Sequence, residues 1–333
     1  MYSLYVGIDI SKLSFHAAML SGNNTVVDLG CFTNDYSGFE NLIVRLKQES
    51  KCEKNEWFIC FENTGTYSKS LLEWLVSQQI PCREENALRI SRSMGLRRGK
   101  DDKVDARDIC VYAFRHRDTL KPTQLTKPGI SRLRKLLSRR SFVIRQKHGC
   151  QVSLKEQKSE LDVDLNKIMS DQNDRLLQLY NEQLTVLEKL IRETIEKDPA
   201  MKKNDQLAQS VKGIGPITSA FIIAHTHNFE RFENARQFAC YSGIAPFPNR
   251  SGTSLKGKTR VSPFGNKQLK ALLSNCANAA IAFDKELKSY YLRKKAEGKE
   301  YGTVLNAVKN KLVQRVFAVI KRQSPYVPLM NYT

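Results

Sequence analysis

Four acidic residues have the side-chain type and the placement that phosphoryl-transfer chemistry needs. Asp9 and Glu62 each end a short hydrophobic run, and Asp102 and Asp105 stand three residues apart. Residues three apart share one face of a helix, and acids at strand ends lie where a cleft can form. Four converging carboxylates would offer the all-oxygen ligands that suit Mg²⁺. Each acid alone is also an ordinary strand-end or helix-surface residue.

Two metal ions about 4 Å apart can activate an attacking oxygen and stabilise the leaving oxygen in phosphodiester chemistry. The basic residues beside the second acidic pair are candidates to hold the phosphates, and they are Lys100, Lys103 and Arg107. If the four acids converge, they and these cations would form a metal site for phosphodiester chemistry; from spacing alone, ordinary strand-end and helix-surface acids remain the alternative.

A serine in a flexible, cationic, glycine-bracketed loop is the second candidate group. Ser251 lies in the run from Gly243 to Gly265, whose candidate nucleic-acid contacts are Arg250, Lys256, Lys258 and Arg260. A serine here could attack phosphorus if a base or a metal took its proton, whereas most loop serines form turns or bind phosphate. No histidine lies within ten residues of Ser251, so a hydrolase-type triad is not supported locally.

The charge distribution supports a polyanionic partner for both groups. The chain has 333 residues with 54 Lys and Arg against 34 Asp and Glu, a net charge of +20. Residues 83–147 carry a net +12 and residues 250–323 a net +13, so the remainder is slightly acidic. If the excess cations served solubility alone, they would be spread along the chain, and the residues outside the two blocks would not carry a net negative charge. The two cationic blocks therefore predict contact with nucleic acid.

The elements around the first two acids predict an α/β domain. Residues 4–9, 15–20 and 25–32 form strand-like runs, with a turn at 22–24, and a buried strand is expected at 57–61. Helical spacing marks 39–46 and 67–76, and a further helix is expected over 102–116. Three hairpin strands followed by alternating helix and strand are typical of an RNase H-like order.

The rest of the chain reads as mainly helical. Residues 130–199 contain almost no Gly or Pro and carry one apolar stripe, which predicts a helical hairpin or coiled-coil arm for dimerisation or spacing. The bend is expected at 171–174, and a polar linker at 202–205. Lys212, Gly213 and Gly215 then begin a helix-hairpin-helix pattern, whose turn amides and helix N-terminus can meet a phosphate without reading sequence; a plain interhelical turn is the alternative.

Several function classes are disfavoured by composition. No apolar run reaches the length of a membrane span, and the first 20 residues lack the pattern of a secretory signal. The eight cysteines form no CxxC pair, so reduced thiols in a cytoplasmic protein are expected rather than a disulfide or zinc framework.

Five segments in this order resemble the DEDD-type transposases of insertion sequences, the IS110 group related to the Piv site-specific invertase. The segments are residues 6–12 (VGIDISK), 61–67 (FENTGTY), 100–106 (KDDKVDA), 213–216 (GIGP) and 243–273. The third motif usually reads Lys-Thr-Asp in this family, and Asp101 stands in place of the Thr. Asp102 nevertheless keeps the three-residue spacing to Asp105.

The resemblance implies a RuvC-like (RNase H fold) domain that holds Mg²⁺ through Asp9, Glu62, Asp102 and Asp105. It also implies a C-terminal transposase domain whose serine forms a covalent link to a cleaved strand. Ser251 is the match, Ser254 the runner-up, and Ser262 a weaker third. The resemblance further implies that carboxylates and serine can come from different subunits, and that the chain is a prokaryotic cytoplasmic protein that acts on the nucleoid. Many members are guided by a bridge RNA, which makes donor and target DNA duplexes, a guide RNA and dimers or tetramers the expected partners.

The expected architecture is therefore an RNase H-like α/β domain over 1–125, a helical arm over 126–203, and a mainly α-helical domain with the helix-hairpin-helix and the serine segment over 204–333. The expected function is DNA transposition or site-specific recombination. One alternative is a RuvC-like junction-resolving nuclease that uses water as nucleophile. The other is a non-catalytic nucleic-acid-binding protein, for which all four acids would be dispensable.

Overall fold

The computed structural model describes residues 2–20, 25–50, 52–95, 101–157, 163–251 and 255–328. The chain divides into two compact units, Met1–Leu125 and Thr126–Thr333. The finer division of the second unit into an arm and a C-terminal domain stays a prediction. Among the described residues no helix has the length and apolar character to cross a bilayer.

The first unit is built on a mixed five-stranded sheet with the order β3-β2-β1-β4-β5. The strands are β1 (Leu4–Ile10), β2 (Ser14–Leu20), β3 (Val26–Thr33), β4 (Trp57–Glu62) and β5 (Cys82–Glu85). The first three pair antiparallel, whereas β4 pairs parallel with β1 and β5 pairs parallel with β4. The α/β prediction is confirmed for this part of the chain.

Helices cover both faces of this sheet. They are α1 (Tyr36–Glu49), α2 (Thr66–Ser77), α3 (Ala87–Ser93) and α4 (Asp102–Arg115). Side chains alternate along a strand, so Leu4, Val6 and Ile8 pack with α1 and α2, while Tyr5 packs with α4. The same alternation puts Asp9 on the α4 face. The edge strand β5 and helix α3 went unpredicted because each is short and polar, with little periodicity.

Gly7 sets how closely α4 approaches the sheet. A Cβ on Gly7 would lie 2.7 Å from the Cys110 Cα and closer still to the Cys110 amide and the Ala106 carbonyl. The Cys110 thiol also donates to the Tyr5 carbonyl at 3.2 Å. Because these neighbours are backbone atoms, they cannot move aside as a flexible side chain would.

We expect Gly7→Ala to destabilise the protein by about 3 kcal/mol through overpacking against a rigid helix backbone. Calorimetry or thermal denaturation should show the first unit melting about 10 °C lower. The control is Gly149→Ala, since the added methyl there meets open space within a helix and helical Gly→Ala changes are mildly stabilising. An unchanged melting temperature for Gly7→Ala would contradict the close packing of α4.

In the part of the second unit that the structure describes, the elements are helices apart from one hairpin. They are α5 (Pro128–Gln157), α6 (Val163–Glu196), α7 (Pro199–Gln209), α8 (Pro216–Thr226), α9 (Ala235–Tyr241), β6 (Pro246–Ser251), β7 (Leu255–Val261), α10 (Lys267–Phe283), α11 (Lys285–Ala296) and α12 (Tyr301–Arg322). One apolar core joins α5, α6 and the helices that follow. The predicted mainly helical character of this half is confirmed.

Helices α5 and α6 form an antiparallel pair, because Arg140 bonds Glu188 and Lys147 bonds Asn181. The predicted bend at 171–174 is wrong, since these residues lie inside α6 and no Gly or Pro interrupts the helix there. Helix α5 ends at Gln157 and α6 begins at Val163, and residues 158–162 between them lie outside the described residues. The predicted linker at 202–205 is also wrong. It lies inside α7, where Asp198 caps the helix through the amides of Ala200 and Met201, and Pro199 occupies the first turn.

Candidate functional site

Three of the four predicted acids come together at one end of the first unit. The ligand atoms of Asp9, Asp102 and Asp105 all lie within 4.8 Å of one another. Asp9 is contributed by β1, while Asp102 and Asp105 lie in the first turn of α4. The close contact of α4 with β1 at Gly7 therefore brings these carboxylates together.

The group has the chemistry of a divalent-cation site. All of its ligand atoms are carboxylate oxygens, the ligands that hard cations prefer. Three like charges this close repel one another, and a bound cation relieves that repulsion. Asp9 and Asp105 are partly buried and Asp102 is exposed, so the site is open to a substrate. The residues present thus fit a divalent metal ion.

Glu62 is the last residue of β4. The residue before it, Phe61, pairs with Ile8 of β1. Glu62 and Asp9 therefore follow a paired position on neighbouring strands, at the same end of the sheet. The group of carboxylates that meets the 4.8 Å distance does not include Glu62. The structure thus brings three predicted ligands together and places the fourth on the neighbouring strand.

Asp101 acts as the N-cap of α4. Its side chain accepts a hydrogen bond from the Lys103 amide at 3.0 Å. Asp is among the residues that cap helices well, as is Thr, so the departure from the usual Lys-Thr-Asp motif preserves a cap. The capping role leaves Asp102, not Asp101, to join the acidic group.

The basic residues predicted beside the acids differ in their surroundings. The Lys103 ammonium lies 2.6 Å from Asp28, so in this structure it is paired with a carboxylate. Arg107 is exposed on α4. Lys100 lies outside the described residues.

Asp28 is a residue near this site that sequence reasoning missed. It accepts from His16 at 2.9 Å and from Lys103 at 2.6 Å. The Lys103 hydrogen bond, with smaller contributions from the Gly30 amide and His16, lowers the pKa of Asp28 to about 2. His16 pairs opposite Asp9 in the β1–β2 register. The signal was available in the hairpin, whose register places an Asp and a His on the same face as Asp9.

Ser251 is the last residue of β6, at the tip of a hairpin. Its backbone pairs with Leu255, and Arg250 pairs with Lys256. Residues 252–254, with the runner-up Ser254, lie outside the described residues, as do the side chains of Arg250, Ser251, Lys256 and Lys258. The flexible loop expected from sequence is thus a two-stranded hairpin. Arg260 on β7 is exposed.

The base of this hairpin is held in place by close backbone packing. Gly243, with φ of +68°, lies so close to Gly265 that a Cβ on Gly243 would be 2.9 Å from the Gly265 Cα. The side-chain amides of Asn306 and Asn310 both donate to the Ile244 carbonyl, at 2.8 and 3.0 Å. The third serine candidate, Ser262, accepts from the Phe264 amide in a local turn.

The predicted helix-hairpin-helix segment is a short turn between α7 and α8. Lys212 is exposed in this turn. Gly213 has φ of +97° and packs against α10, where a Cβ would lie 2.7 Å from the Cys276 carbonyl. Gly215 is the N-cap residue of α8. The turn therefore needs Gly213 both for its backbone conformation and for close helix packing.

Comparison with known proteins places the two units in one family. Residues 6–157 match a family model described as Transposase, for the DEDD transposases of IS110 elements, and residues 205–292 match one described as Transposase IS116/IS110/IS902 family. The chain is 26% identical to the Pilin gene-inverting protein of Moraxella bovis over 98% of both chains.

Two further relatives are similar over a shorter part. The insertion element IS110 43.6 kDa protein of Streptomyces coelicolor is 29% identical over 44% of this chain and 35% of its own. The transposase for insertion sequence element IS1111A of Coxiella burnetii is 29% identical over 36% of this chain and 34% of its own. The two family models together cover most of the chain; the first spans the acidic group and the second spans the serine hairpin, the β6–β7 hairpin that carries Ser251. The chain belongs to the IS110 family of DEDD transposases.

Proposed function

We propose that this chain is a DNA recombinase of an insertion sequence, which cuts and exchanges DNA strands in the cytoplasm. The observation that carries the proposal is the convergence of Asp9, Asp102 and Asp105 within 4.8 Å in a chain of the DEDD transposase family. The coarser activity also agrees with the relatives, one named as a gene-inverting protein and another as a transposase.

The sheet supports a RuvC-like, RNase H-type fold for the first unit. Three antiparallel strands precede two parallel ones, in the order β3-β2-β1-β4-β5. The acidic residues lie where β1 and β4 end and where α4 begins. This is the location that a metal-dependent nuclease of this type would use.

Asp9, Asp102 and Asp105, with Glu62 beside them, would hold Mg²⁺. When bound, the metal would stabilise negative charge on the phosphoryl oxygens. The protein's part is to fix the carboxylates: β1 holds Asp9, the Asp101 cap orients the first turn of α4, and Gly7 lets that turn reach the sheet. Arg107 is exposed on the same helix and can contact the DNA backbone.

Ser251 is the proposed nucleophile. Its Oγ forms a bond to phosphorus as the bond from phosphorus to a sugar oxygen breaks, and that oxygen takes up a proton as a hydroxyl. A sugar hydroxyl of another strand then attacks the phosphoserine, which rejoins DNA and frees the serine. Each step exchanges one phosphate ester for another, so the phosphodiester energy is conserved during strand exchange. Attack by water would lose it.

The proposed partners are two DNA duplexes, a guide RNA and further copies of this chain. The exposed Lys212 beside Gly213 and Gly215, together with the cationic hairpin, suits sequence-independent phosphate contacts, so base pairing with a bridge RNA would choose the sites. Helix α6 exposes apolar side chains along its length, among them Val163, Ile168 and Val186. An arm of this kind would join subunits, so that the carboxylates of one copy and the serine of another act on the same DNA.

A junction-resolving nuclease is the second candidate. The acidic group lies entirely within the first unit, and attack by water would require that group without Ser251. This alternative predicts cut ends with free 5′-phosphates and no strand exchange.

The test is recombination in cells that carry the gene with its flanking non-coding DNA. We expect recombinant junctions by PCR and sequencing when the flanking DNA is transcribed, and a discrete RNA from that region in the purified protein. Deleting the flanking transcription unit, while keeping the DNA ends, should abolish both. Recombination that persists after this deletion would contradict the guide RNA, and absence of junctions in every arm would contradict the recombinase.

A further inference from the structure

Lys309 is a buried lysine in the middle of α12. It occupies the apolar stripe of that helix beside Val308 and Leu312, and its residue surface is 5% exposed. Its ammonium lies 3.3 Å from the hydroxyl of Ser274. Among the described residues no carboxylate lies within ion-pair distance of it, and the hairpin at 246–261 contains no Asp or Glu.

The electrostatics of this lysine are unfavourable in the protein alone. Burial, and then the positive charge of Lys270, lower the pKa of the Lys309 ammonium. A buried charge without a counter-charge is costly, and apolar residues occupy the neighbouring core positions of the helix. The cation therefore needs an explanation other than stability.

Lys309 lines a cavity of about 950 Å³ that begins at the base of the serine hairpin. Pro246 and Arg260 contribute to it from β6 and β7, Lys270 from α10, and Lys311 from α12. Of the lining side chains that the structure describes, four are thus cationic and none is acidic. A cavity with this lining selects an anion.

We propose that this cavity binds a phosphate of the DNA strand, with Lys309 as the buried donor at its wall and Arg260, Lys270 and Lys311 completing the site. The identity of the anion rests on the proposed function, whereas the cationic cavity does not. Pro246 and Ser251 are the two ends of β6, about 17 Å apart for an extended strand. At a rise of about 3.4 Å per nucleotide, the bound phosphate would lie about five nucleotides from the reacting one.

DNA is the favoured source of the phosphate because the hairpin that carries Ser251 has to meet the strand that is cut. The site would hold that strand at a second point, so the hairpin tip reaches a defined phosphate. Lys309 is accordingly a positioning residue. It touches the strand away from the reacting atoms.

The test is the salt dependence of DNA binding by Lys309→Met, measured by fluorescence anisotropy on a labelled duplex. Loss of one phosphate contact should reduce the slope of log affinity against log salt by about 0.9. The fall in affinity between about 50 and 200 mM salt should therefore be about threefold smaller. Lys321→Met, an exposed lysine of the same helix, is the matched control and should leave the slope closer to the wild-type value.

Thermal denaturation without DNA provides the second readout. Methionine has a similar length and carries no charge, so Lys309→Met should melt at the wild-type temperature or above it. Lys270→Met, at a partly exposed wall of the cavity, should reduce the salt slope without touching the core. A wild-type slope in both variants would overturn the site, and so would a lower melting temperature in Lys309→Met with an unchanged slope.

Two outcomes separate this inference from the proposed function. Normal recombination with a wild-type salt slope in Lys309→Met would refute the phosphate site and leave the recombinase intact. A reduced slope in a protein that never recombines would support the site alone. If the slope falls for an RNA duplex of the same sequence and not for DNA, the assignment to DNA is wrong.

Discussion

Asp9→Asn and Asp102→Asn are expected to bind DNA as tightly as the wild type and to cut it about a hundredfold to a thousandfold more slowly. Asn keeps the size of the side chain and removes the charge that a divalent cation needs. Losing one element of preorganised electrostatic stabilisation typically costs about this much in rate. Binding persists because the cationic surfaces remain. The measurement is cleavage of a labelled DNA in Mg²⁺, with anisotropy for binding.

Asp101→Asn is the matched control. The residue is adjacent to Asp102, and Asn caps a helix as well as Asp does, so cleavage should stay near the wild-type rate. Loss of cleavage in Asp101→Asn with activity kept in Asp102→Asn would shift the metal ligand by one residue. Metal-independent cutting by Asp9→Asn would remove the metal from the account.

Ser251→Ala is expected to abolish strand exchange, to below about one ten-thousandth of the wild-type rate, as for other serine nucleophiles. The alanine leaves no oxygen that can bond to phosphorus, and the change is small enough for the strand end to tolerate it. DNA binding should be unchanged. The measurement is recombinant junction formation, quantified by PCR over several decades of dilution.

Ser254→Ala and Ser262→Ala are the controls for this variant. Ser254 lies three residues after Ser251 in the sequence. Ser262 accepts a hydrogen bond from the Phe264 amide in its own turn. Both variants should keep strand exchange. A fully active Ser251→Ala would refute the serine assignment, and loss confined to Ser254→Ala would move the nucleophile to the runner-up.

Much of the first unit was predictable from local pattern. Strands β1 to β4 carry continuous or alternating apolar side chains, and the spacing of Asp102 and Asp105 correctly predicted one helical face. What the pattern could not predict is the depth at which α4 packs. That depends on Gly7 meeting the backbone of Ala106 and Cys110, a contact about a hundred residues apart in sequence.

In the second unit, local sequence patterns did not predict the β6–β7 hairpin or the burial of Lys309. The hairpin β6–β7 is rich in glycine and cations, so it read as a loop, while its pairing depends on the base held by Asn306 and Asn310. By residue type alone, Lys309 is indistinguishable from a surface lysine, and its burial depends on how α12 packs in the second unit. Its position five residues after Val304 and three before Leu312, in a stripe of buried residues, was the available signal. Burial is a tertiary property, so sequence alone leaves it open.

The most direct test of the central claim is mass spectrometry of the protein after reaction with DNA in Mg²⁺ and nuclease digestion. Trypsin cleavage after Arg250 and Lys256 yields a peptide with both Ser251 and Ser254, and fragmentation distinguishes them. We expect a nucleotide joined through phosphate to Ser251 in the wild type and none in Asp9→Asn. Cut DNA with free 5′-phosphate ends, and no nucleotide on any serine at any time point, would contradict it and establish water as the nucleophile.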